Sequence, residues 1–274
     1  MNKKFFQKLR KEKIALFSFI ILSFYILIAL FANYITPYNP YEMNLSQRLK
    51  GPSLSHPFGF DELGRDELSR IIMGTRISIS IGLLVVVITF IMGITVGGIC
   101  AYLGGIFDEI LMRATDVLLA MPGILLAIAI VSFLGTGIFN LIFALTVMGW
   151  ISYARLIRGE VLKIKNQDYV LAAKISGSKT FKIFFRHILR NSIDPAIVQG
   201  VLNLGGVIIS EASLSFLGLG ISPPTPSWGN MLSMARVHLF DAPHLIIFPS
   251  IILATLIFSV HFLGEFLEEM FIHR

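Results

Sequence analysis

The side chains of this sequence that could take part in chemistry are scattered among apolar stretches. His261 and Glu265 are four residues apart, so on a helix they share one face, and a His–Glu pair with this spacing can contribute to a metal site. The sequence offers no third ligand near them, so an interfacial polar contact is the favoured interpretation. The single cysteine, Cys100, has no second thiol for a disulfide and no companion ligand for a metal. We predict no metal site.

The segment AKISGSKT, residues 173–180, is similar to the end of a phosphate-binding loop. That loop requires glycine at its first position and glycine before the lysine, because the backbone must approach the phosphates closely. Ala173 and Ser178 occupy those positions here. No complete nucleotide-binding loop occurs elsewhere in the sequence, so we expect no bound cofactor, no catalytic residues and no enzymatic activity of the chain itself.

The composition is typical of a membrane protein. Of the 274 residues, 55% are hydrophobic and 15% are charged, and the mean hydropathy is +0.76. Soluble domains have roughly 45–50% apolar and about 25% charged residues. The net charge of +6 could indicate nucleic-acid binding. The basic residues cluster beside apolar runs, however, so membrane topology explains the charge better and we predict no nucleic-acid partner.

Six apolar segments are long enough to cross a bilayer, which requires about 20 residues. The third segment contains Met121-Pro122, which predicts a kink, and the fifth opens with Asp194-Pro195, an N-cap followed by proline at the first helical position. The first follows a short basic stretch and is too long for a cleaved signal peptide. The predicted spans are 14–35, 77–103, 115–134, 137–153, 194–217 and 245–267. The predicted fold class is therefore an all-α polytopic membrane protein.

The distribution of basic residues predicts the orientation. Six spans place both termini on one side, and 17 of the 23 lysines and arginines, including Arg274, fall on that side. Positive charge accumulates in cytoplasmic loops. We therefore expect both termini to be cytoplasmic, in a multi-pass protein of the cytoplasmic (inner) membrane.

The longest polar interval is 155–191, which holds nine basic residues against Glu160 and Asp168. Asp168 is a candidate N-cap and Gly177 a candidate C′ residue, and Ser178 could cap a second helix. Helical spacing places five apolar side chains on one face of that second helix: Phe181, Phe184, Phe185, Ile188 and Leu189. Two short basic amphipathic helices with a sharp bend would fit either a lipid headgroup surface or a protein partner.

This interval resembles the EAA loop of binding-protein-dependent ABC importer permeases. Ala172, Ala173, Gly177 and Leu189 match that pattern in register, whereas Leu171 and Arg190 replace its usual glutamate and proline. In the family the loop is a coupling helix seated in a groove of a separate ATPase. The resemblance implies that the ATPase-coupling residues are Asp168, Tyr169, Ala172, Ala173, Gly177, Ser178 and Phe181.

Further motifs resemble the C-type permeases of the dipeptide, oligopeptide and nickel importers. They are HPFGFDELGRD at 56–66, LGGIFDEILMRATDVLLAMPG at 103–123, EASLSFLGLG at 211–220 and ISPPTPSWGNM at 221–231. The resemblance implies an N-terminal region, 1–76, with the first transmembrane helix and an extracytoplasmic loop. The five-helix permease core would then be 77–274 and the coupling loop 155–191.

The same resemblance implies the partners and the substrate. The partners would be a second permease in a heterodimer, two cytoplasmic ATPases that bind ATP and Mg²⁺, an extracytoplasmic solute-binding protein and the lipid bilayer. A di- or oligopeptide is the first substrate hypothesis, and nickel or a metal chelate is the alternative. An ion-gradient-driven secondary transporter would instead require inverted repeats and buried charge relays, and the sequence shows no convincing repeat. A membrane scaffold would not need the coupling loop.

Candidate gate or path residues are Glu211, Ser215, Trp228, Met121 and Pro122. An ionisable group within a span is costly and indicates function. Glu211 could meet a cationic group on the path, pair with a partner or a nearby backbone, or reach the outer interface; because it belongs to a family signature, we favour a structural or gating role. Arg113 and Asp116 have the spacing of an ion pair on a helix.

Overall fold

The computed structural model describes residues 2–271, so Arg274, counted above for the orientation, lies outside it. Within this range the regular structure is helical, with one isolated β-bridge between Phe60 and Asp66. The helices are α1 Asn2–Lys11, α2 Lys13–Ile35, α3 Glu67–Leu103, α4 Gly105–Leu119, α5 Gly123–Leu134, α6 Ile138–Ile164, α7 Asp168–Ile175, α8 Thr180–Ile183, α9 Arg190–Phe216, α10 Trp228–Ala235 and α11 His244–Phe271.

Five helical stretches among the described residues are long and apolar enough to cross a membrane: α2, α3, α6, the continuous stretch from α8 to α9, and α11. Helices α4 and α5 meet at an angle of 85° and make a sixth span if they are taken together. The all-α polytopic fold is confirmed. The predicted kink at Met121-Pro122 is present, but it separates two helices, because proline lacks the N–H that would continue the hydrogen-bond ladder.

Helices α3 and α6 form the centre of the molecule and approach each other through glycines. A Cβ atom added to Gly93 would lie 2.4 Å from Tyr153 Cβ, and one added to Gly97 would lie 2.5 Å from Ala154 Cα. Small residues permit such close backbone contact between membrane helices. Gly93 and Gly97 therefore serve close packing of α3 against α6.

The predicted start of the second span is wrong. Helix α3 begins at Glu67, ten residues before the predicted start at Ile77. Asp66 is its N-cap and accepts hydrogen bonds from the Ser69 amide at 2.8 Å and the Ser69 hydroxyl at 2.6 Å. The cap stabilises a charged first turn that hydropathy alone would assign to the loop.

The predicted start of the fifth span is also wrong. Pro195 lies inside α9 and does not open it. Proline within a membrane helix is tolerated where neighbouring structure compensates for the lost backbone bond. Helix α6 likewise continues beyond Tyr153 to Ile164 and brings the first part of the 155–191 interval into the helix. Helices α2 and α11 agree with their predicted spans to within a few residues.

Candidate functional site

The sharp bend of the basic interval is a Schellman motif at the end of α7. The Ser178 amide donates to the Ala173 carbonyl at 3.1 Å, and the Gly177 amide donates to the Lys174 carbonyl at 3.0 Å. Gly177 has φ +74°, which places it at C′ as predicted. The left-handed backbone and the doubled hydrogen bond fix the direction in which the chain leaves α7.

Both predicted N-caps in this interval are displaced by one residue. Gln167 is the N-cap of α7, and Asp168 is its first helical residue. Lys179 is the N-cap of α8, with Ser178 one residue earlier, and neither cap accepts a side-chain hydrogen bond. Asp168 still lies in the first turn of α7, where a carboxylate interacts favourably with the helix dipole.

The outer face of α7 and α8 is both apolar and uncovered. Tyr169 and Leu171 are more than two-fifths exposed, Ile175 is 88% exposed and Phe181 is 73% exposed. Ala172 is exposed on the same segment and Ala173 is half-buried. Exposed large apolar side chains at the surface are typical of an interaction site. We call residues 168–181 the coupling segment.

The inner face of the coupling segment is firmly attached to the bundle. Val170 is fully buried and packs in a cluster with Ile157 and Val161 of α6 and Ile183 of α8. The Asn191 amide nitrogen donates to the Tyr169 hydroxyl at 3.1 Å. The coupling segment is therefore joined to α6 by packed side chains and to α9 by a hydrogen bond.

The segment continues into the membrane as one helical stretch. Residues Phe184–Leu189 form a π-helical turn between α8 and α9, and helix extends without a gap from Thr180 to Phe216. The wider π turn changes the angle between successive side chains, so the predicted single apolar face is divided. Phe184 and Ile188 are buried, whereas Phe181 and Phe185 are exposed.

Helix α4 is tied to α6 by two ion pairs. The Arg158 guanidinium donates to both Asp108 oxygens at 2.7 Å, the bidentate geometry of a strong charge-assisted contact. Asp116 pairs with Arg155 of α6, not with Arg113, which pairs with Glu109. The predicted Arg113–Asp116 pair is therefore wrong: Glu109, four residues from Arg113, also has the spacing of a helical ion pair, and Arg155 is brought near Asp116 only by tertiary packing.

Glu211 is fully buried where α3, α9 and α10 meet. Its two oxygens accept hydrogen bonds from Ser78 at 3.0 Å and Ser215 at 2.9 Å. Trp228 is also fully buried and packs edge-on against Tyr25 of α2, with ring centroids 6.3 Å apart. Glu211 and Ser215 thus belong to one buried polar group, in which the carboxylate is well satisfied. Trp228 packs instead in a hydrophobic cluster with Tyr25 and Ile208.

The other two candidate path residues lie elsewhere. Met121 is 52% exposed and Pro122 is exposed, at the bend between α4 and α5. The structure does not bring this pair together with the Glu211 cluster. The gating role of all five residues stays a prediction.

Charged side chains of residues 56–70 form a buried network. Asp61 pairs with Arg65 at 2.6 Å and with Arg70 at 3.3 Å, and each of the two arginines is 1% exposed. His56 Nδ1 lies 2.7 Å from Asp66. The i,i+4 spacing of Asp61 and Arg65 was the available signal, and Asp66 before a charged turn indicated the cap. Among the described residues the predicted His261–Glu265 contact is also present, at 3.2 Å.

Comparison with known proteins decides the family. The family model described as binding-protein-dependent transport system inner membrane component matches residues 93–272. The chain belongs to this family. A second model, the N-terminal transmembrane domain of oligopeptide transport permease C, matches residues 2–52. The resemblance drawn from the motifs is confirmed.

Similar permeases cover almost the whole chain. A dipeptide transport system permease protein of Alkalihalophilus pseudofirmus is 40% identical over 264 residues, 96% of this chain and 87% of the relative. A glutathione transport system permease protein of Pectobacterium atrosepticum is 40% identical over 268 residues, 97% of this chain and 89% of the relative. Its counterpart in Escherichia coli O157:H7 is 39% identical over 267 residues, with 97% and 88% covered.

Membership of this family confirms that the chain is a membrane-embedded permease of an ABC importer. It is a transport component and not itself a catalyst, and its transport depends on a binding protein, as the family description states. The comparisons give no support to the secondary-transporter and scaffold alternatives. The family is one of inner membrane components, which agrees with the apolar helices of the structure.

Proposed function

We propose that this chain is the C-type permease subunit of a peptide importer and carries a di- or oligopeptide across the cytoplasmic membrane. The observation that carries the proposal is the similarity to dipeptide and glutathione permeases over 96–97% of the chain. Glutathione is itself a small peptide, so both relatives handle peptide chemistry. The proposed complex also contains a second permease, two ATPases with ATP and Mg²⁺, and an extracytoplasmic binding protein.

The coupling segment is the proposed contact with an ATPase. It has a rigid Schellman bend, an uncovered apolar face and lysines at 174, 179 and 182 around that face. A lipid surface would also attract the lysines. A rigid, bent segment with exposed apolar side chains, however, fits a protein groove better than the fluid surface of a bilayer. Asp168, Tyr169, Ala172, Ala173, Gly177, Ser178 and Phe181 are the proposed coupling residues.

The proposed mechanism follows from the continuity of the helices. Closure of the ATPases on ATP would push the coupling segment, and the push would pass through Val170 into α6 and through the helix 180–216 into the membrane. The buried Glu211 cluster would hold the outer ends of α3, α9 and α10 together, so the bundle would move as a unit. With both termini cytoplasmic, this push comes from the cytoplasmic side.

The test is uptake in cells that express or lack this subunit, measured with a labelled dipeptide and labelled nickel side by side. We expect dipeptide uptake alone to disappear on deletion and to return on re-expression. Loss of nickel uptake alone would refute the peptide proposal and assign the chain to metal import. Unchanged uptake of both would refute both substrate hypotheses and leave the family assignment intact.

A further inference from the structure

A cavity of about 280 Å³ opens between α3, α5, α6 and α9. Ser210 and Leu214, which flank Glu211 on α9, line it, but Glu211, Ser215 and Trp228 do not. Gly123 and Ile124, which directly follow the bend at Met121-Pro122, form one edge. The cavity also lies near the middle of the spans: Thr89 is far from both ends of α3, as Asn203 is in α9.

The lining of this cavity is neutral. Its polar side chains are Thr89, Ser152, Asn203 and Ser210, and none of its described lining residues is acidic or basic. Ser152 is exposed and Ser210 is half-buried, so both are open to a solute. The lining therefore offers hydrogen bonds to a solute but no ion pair.

The hydroxyl groups of the lining donate their protons to backbone carbonyls. Thr89 donates to the Val85 carbonyl at 2.8 Å, Ser152 to the Gly149 carbonyl at 3.1 Å and Ser210 to the Gly206 carbonyl at 2.8 Å. A hydroxyl has one proton and two lone pairs. Because Ser152 and Ser210 direct their protons to their own helices, both offer acceptors to the cavity, whereas the Thr89 side chain is buried.

Asn203 adds hydrogen-bond donors to the cavity. Its carbonyl oxygen accepts a hydrogen bond from Gln199 at 2.8 Å, and its amide nitrogen carries two donors. The cavity therefore combines several acceptors with an amide donor. A peptide main chain offers the matching set, with one N–H and one C=O at each residue. Met148, a flexible and polarisable side chain, also lines the cavity and can adapt to different side chains.

We propose that this cavity is a transient binding site for the main chain of a transported peptide and that Ser152, Asn203 and Ser210 contact it. The proposal rests on the proposed peptide-import function. It places the solute contacts of this subunit on α6 and α9. Because the lining has no charged group, the site does not select between acidic and basic side chains by ion pairing.

The first experiment uses the fact that this chain has a single cysteine, Cys100, and follows labelling of this subunit alone. In a Cys100→Ala background, Ser152→Cys and Ser210→Cys place single thiols in the cavity. Thr95→Cys is the control, because Thr95 lies on α3, donates to the Ile91 carbonyl at 2.7 Å in the same manner and is exposed outside the cavity. The complete importer in vesicles is labelled with a thiol reagent, with ATP and binding protein present and with or without excess unlabelled dipeptide.

We expect dipeptide to slow labelling of the two cavity thiols and to leave Thr95→Cys unchanged. The arm with ATP and binding protein but no dipeptide measures the conformational change alone. If wild-type importer transports the dipeptide while the cavity thiols label at the same rate with and without it, this inference is overturned and the proposed function stands. If the wild-type importer transports no peptide, both this inference and the proposed function are refuted.

The second experiment measures uptake of dipeptides with a neutral, an acidic and a basic side chain in Asn203→Leu. Loss of one hydrogen bond corresponds to about a 2- to 10-fold fall in rate, and we expect the same factor for all three peptides. The concentration for half-maximal uptake should not change, because the binding protein captures the peptide. Asn203→Gln, which keeps the amide, should restore uptake at least in part. Different factors for the three peptides would contradict the neutral site.

Discussion

The two ends of this permease differ in whether their side chains find partners within the chain. At one end, charged groups such as Asp61, Arg65 and Arg70 are buried and paired with one another. At the other, the coupling segment leaves Ile175 and Phe181 uncovered. A closed polar network contributes to the stability of the chain itself, whereas an open apolar face has its stabilising partner elsewhere. The first end should therefore respond to mutation through folding and the second through transport.

The strongest test of this contrast is Asp61→Asn. The change removes the anion between two buried guanidinium groups but keeps the shape of the side chain. We expect a loss of about 3–5 kcal/mol in stability, because unpaired buried charges are costly. Less protein should be found in the membrane, and its thermal unfolding should begin at a lower temperature. The control is Asp241→Asn at an exposed position; equal behaviour of the two variants would contradict the network's role.

Gly177→Trp should have the converse effect. The site has φ +74° and no heavy atom within 4 Å of an added Cβ, so a bulky residue finds room within the chain. It would still strain the bend and obstruct a partner groove. We expect uptake to fall by an order of magnitude or more, roughly the cost of 1.4 kcal/mol or above in coupling, with normal membrane levels of protein.

The matched control for that position is Gly177→Asn, since asparagine tolerates the left-handed region. This variant should retain most of the uptake and the association with the ATPases. Unchanged uptake in Gly177→Trp would exclude the coupling role of the bend.

A smaller effect is expected for Arg158→Gln. This change breaks the bidentate contact with Asp108 between α4 and α6. Arg158 is one-third exposed, so solvent screens the pair and the loss should be roughly 1 kcal/mol. Thermal unfolding of the purified protein measures it, and the double variant with Asp108→Asn should be little worse than either single change. Additive losses would show that the two residues act separately.

The smallest effect is expected for His261→Ala. The His261–Glu265 contact at 3.2 Å joins two side chains that are each more than half exposed, and surface pairs contribute little. Uptake and unfolding should match the wild type, with and without added metal ions. A metal-dependent rise in unfolding temperature that this variant abolishes would contradict the interpretation as a simple polar contact.

A structural feature could be predicted from the sequence where the neighbouring residues alone determine it. Gly177 was placed at C′ because a helix stop requires only the residues beside it, and Pro122 was identified as a break for the same reason. The boundary at Glu67 was missed because hydropathy outweighed the Asp66 cap. The helix start predicted at Asp194-Pro195 is wrong, because the helix is already continuous from α8 at this point and the local N-terminal signal has no effect.

By itself, the sequence determined the class of the protein, its apolar spans, the bend at Gly177 and the motifs that place it among importer permeases. These depend on composition, on short-range backbone chemistry and on order along the chain. Only the tertiary structure decided that Arg155 pairs with Asp116, that Glu211 is enclosed by Ser78 and Ser215, and that Thr89 and Asn203 line one cavity. Such contacts join residues far apart in the chain, and helix packing alone sets which side chains meet.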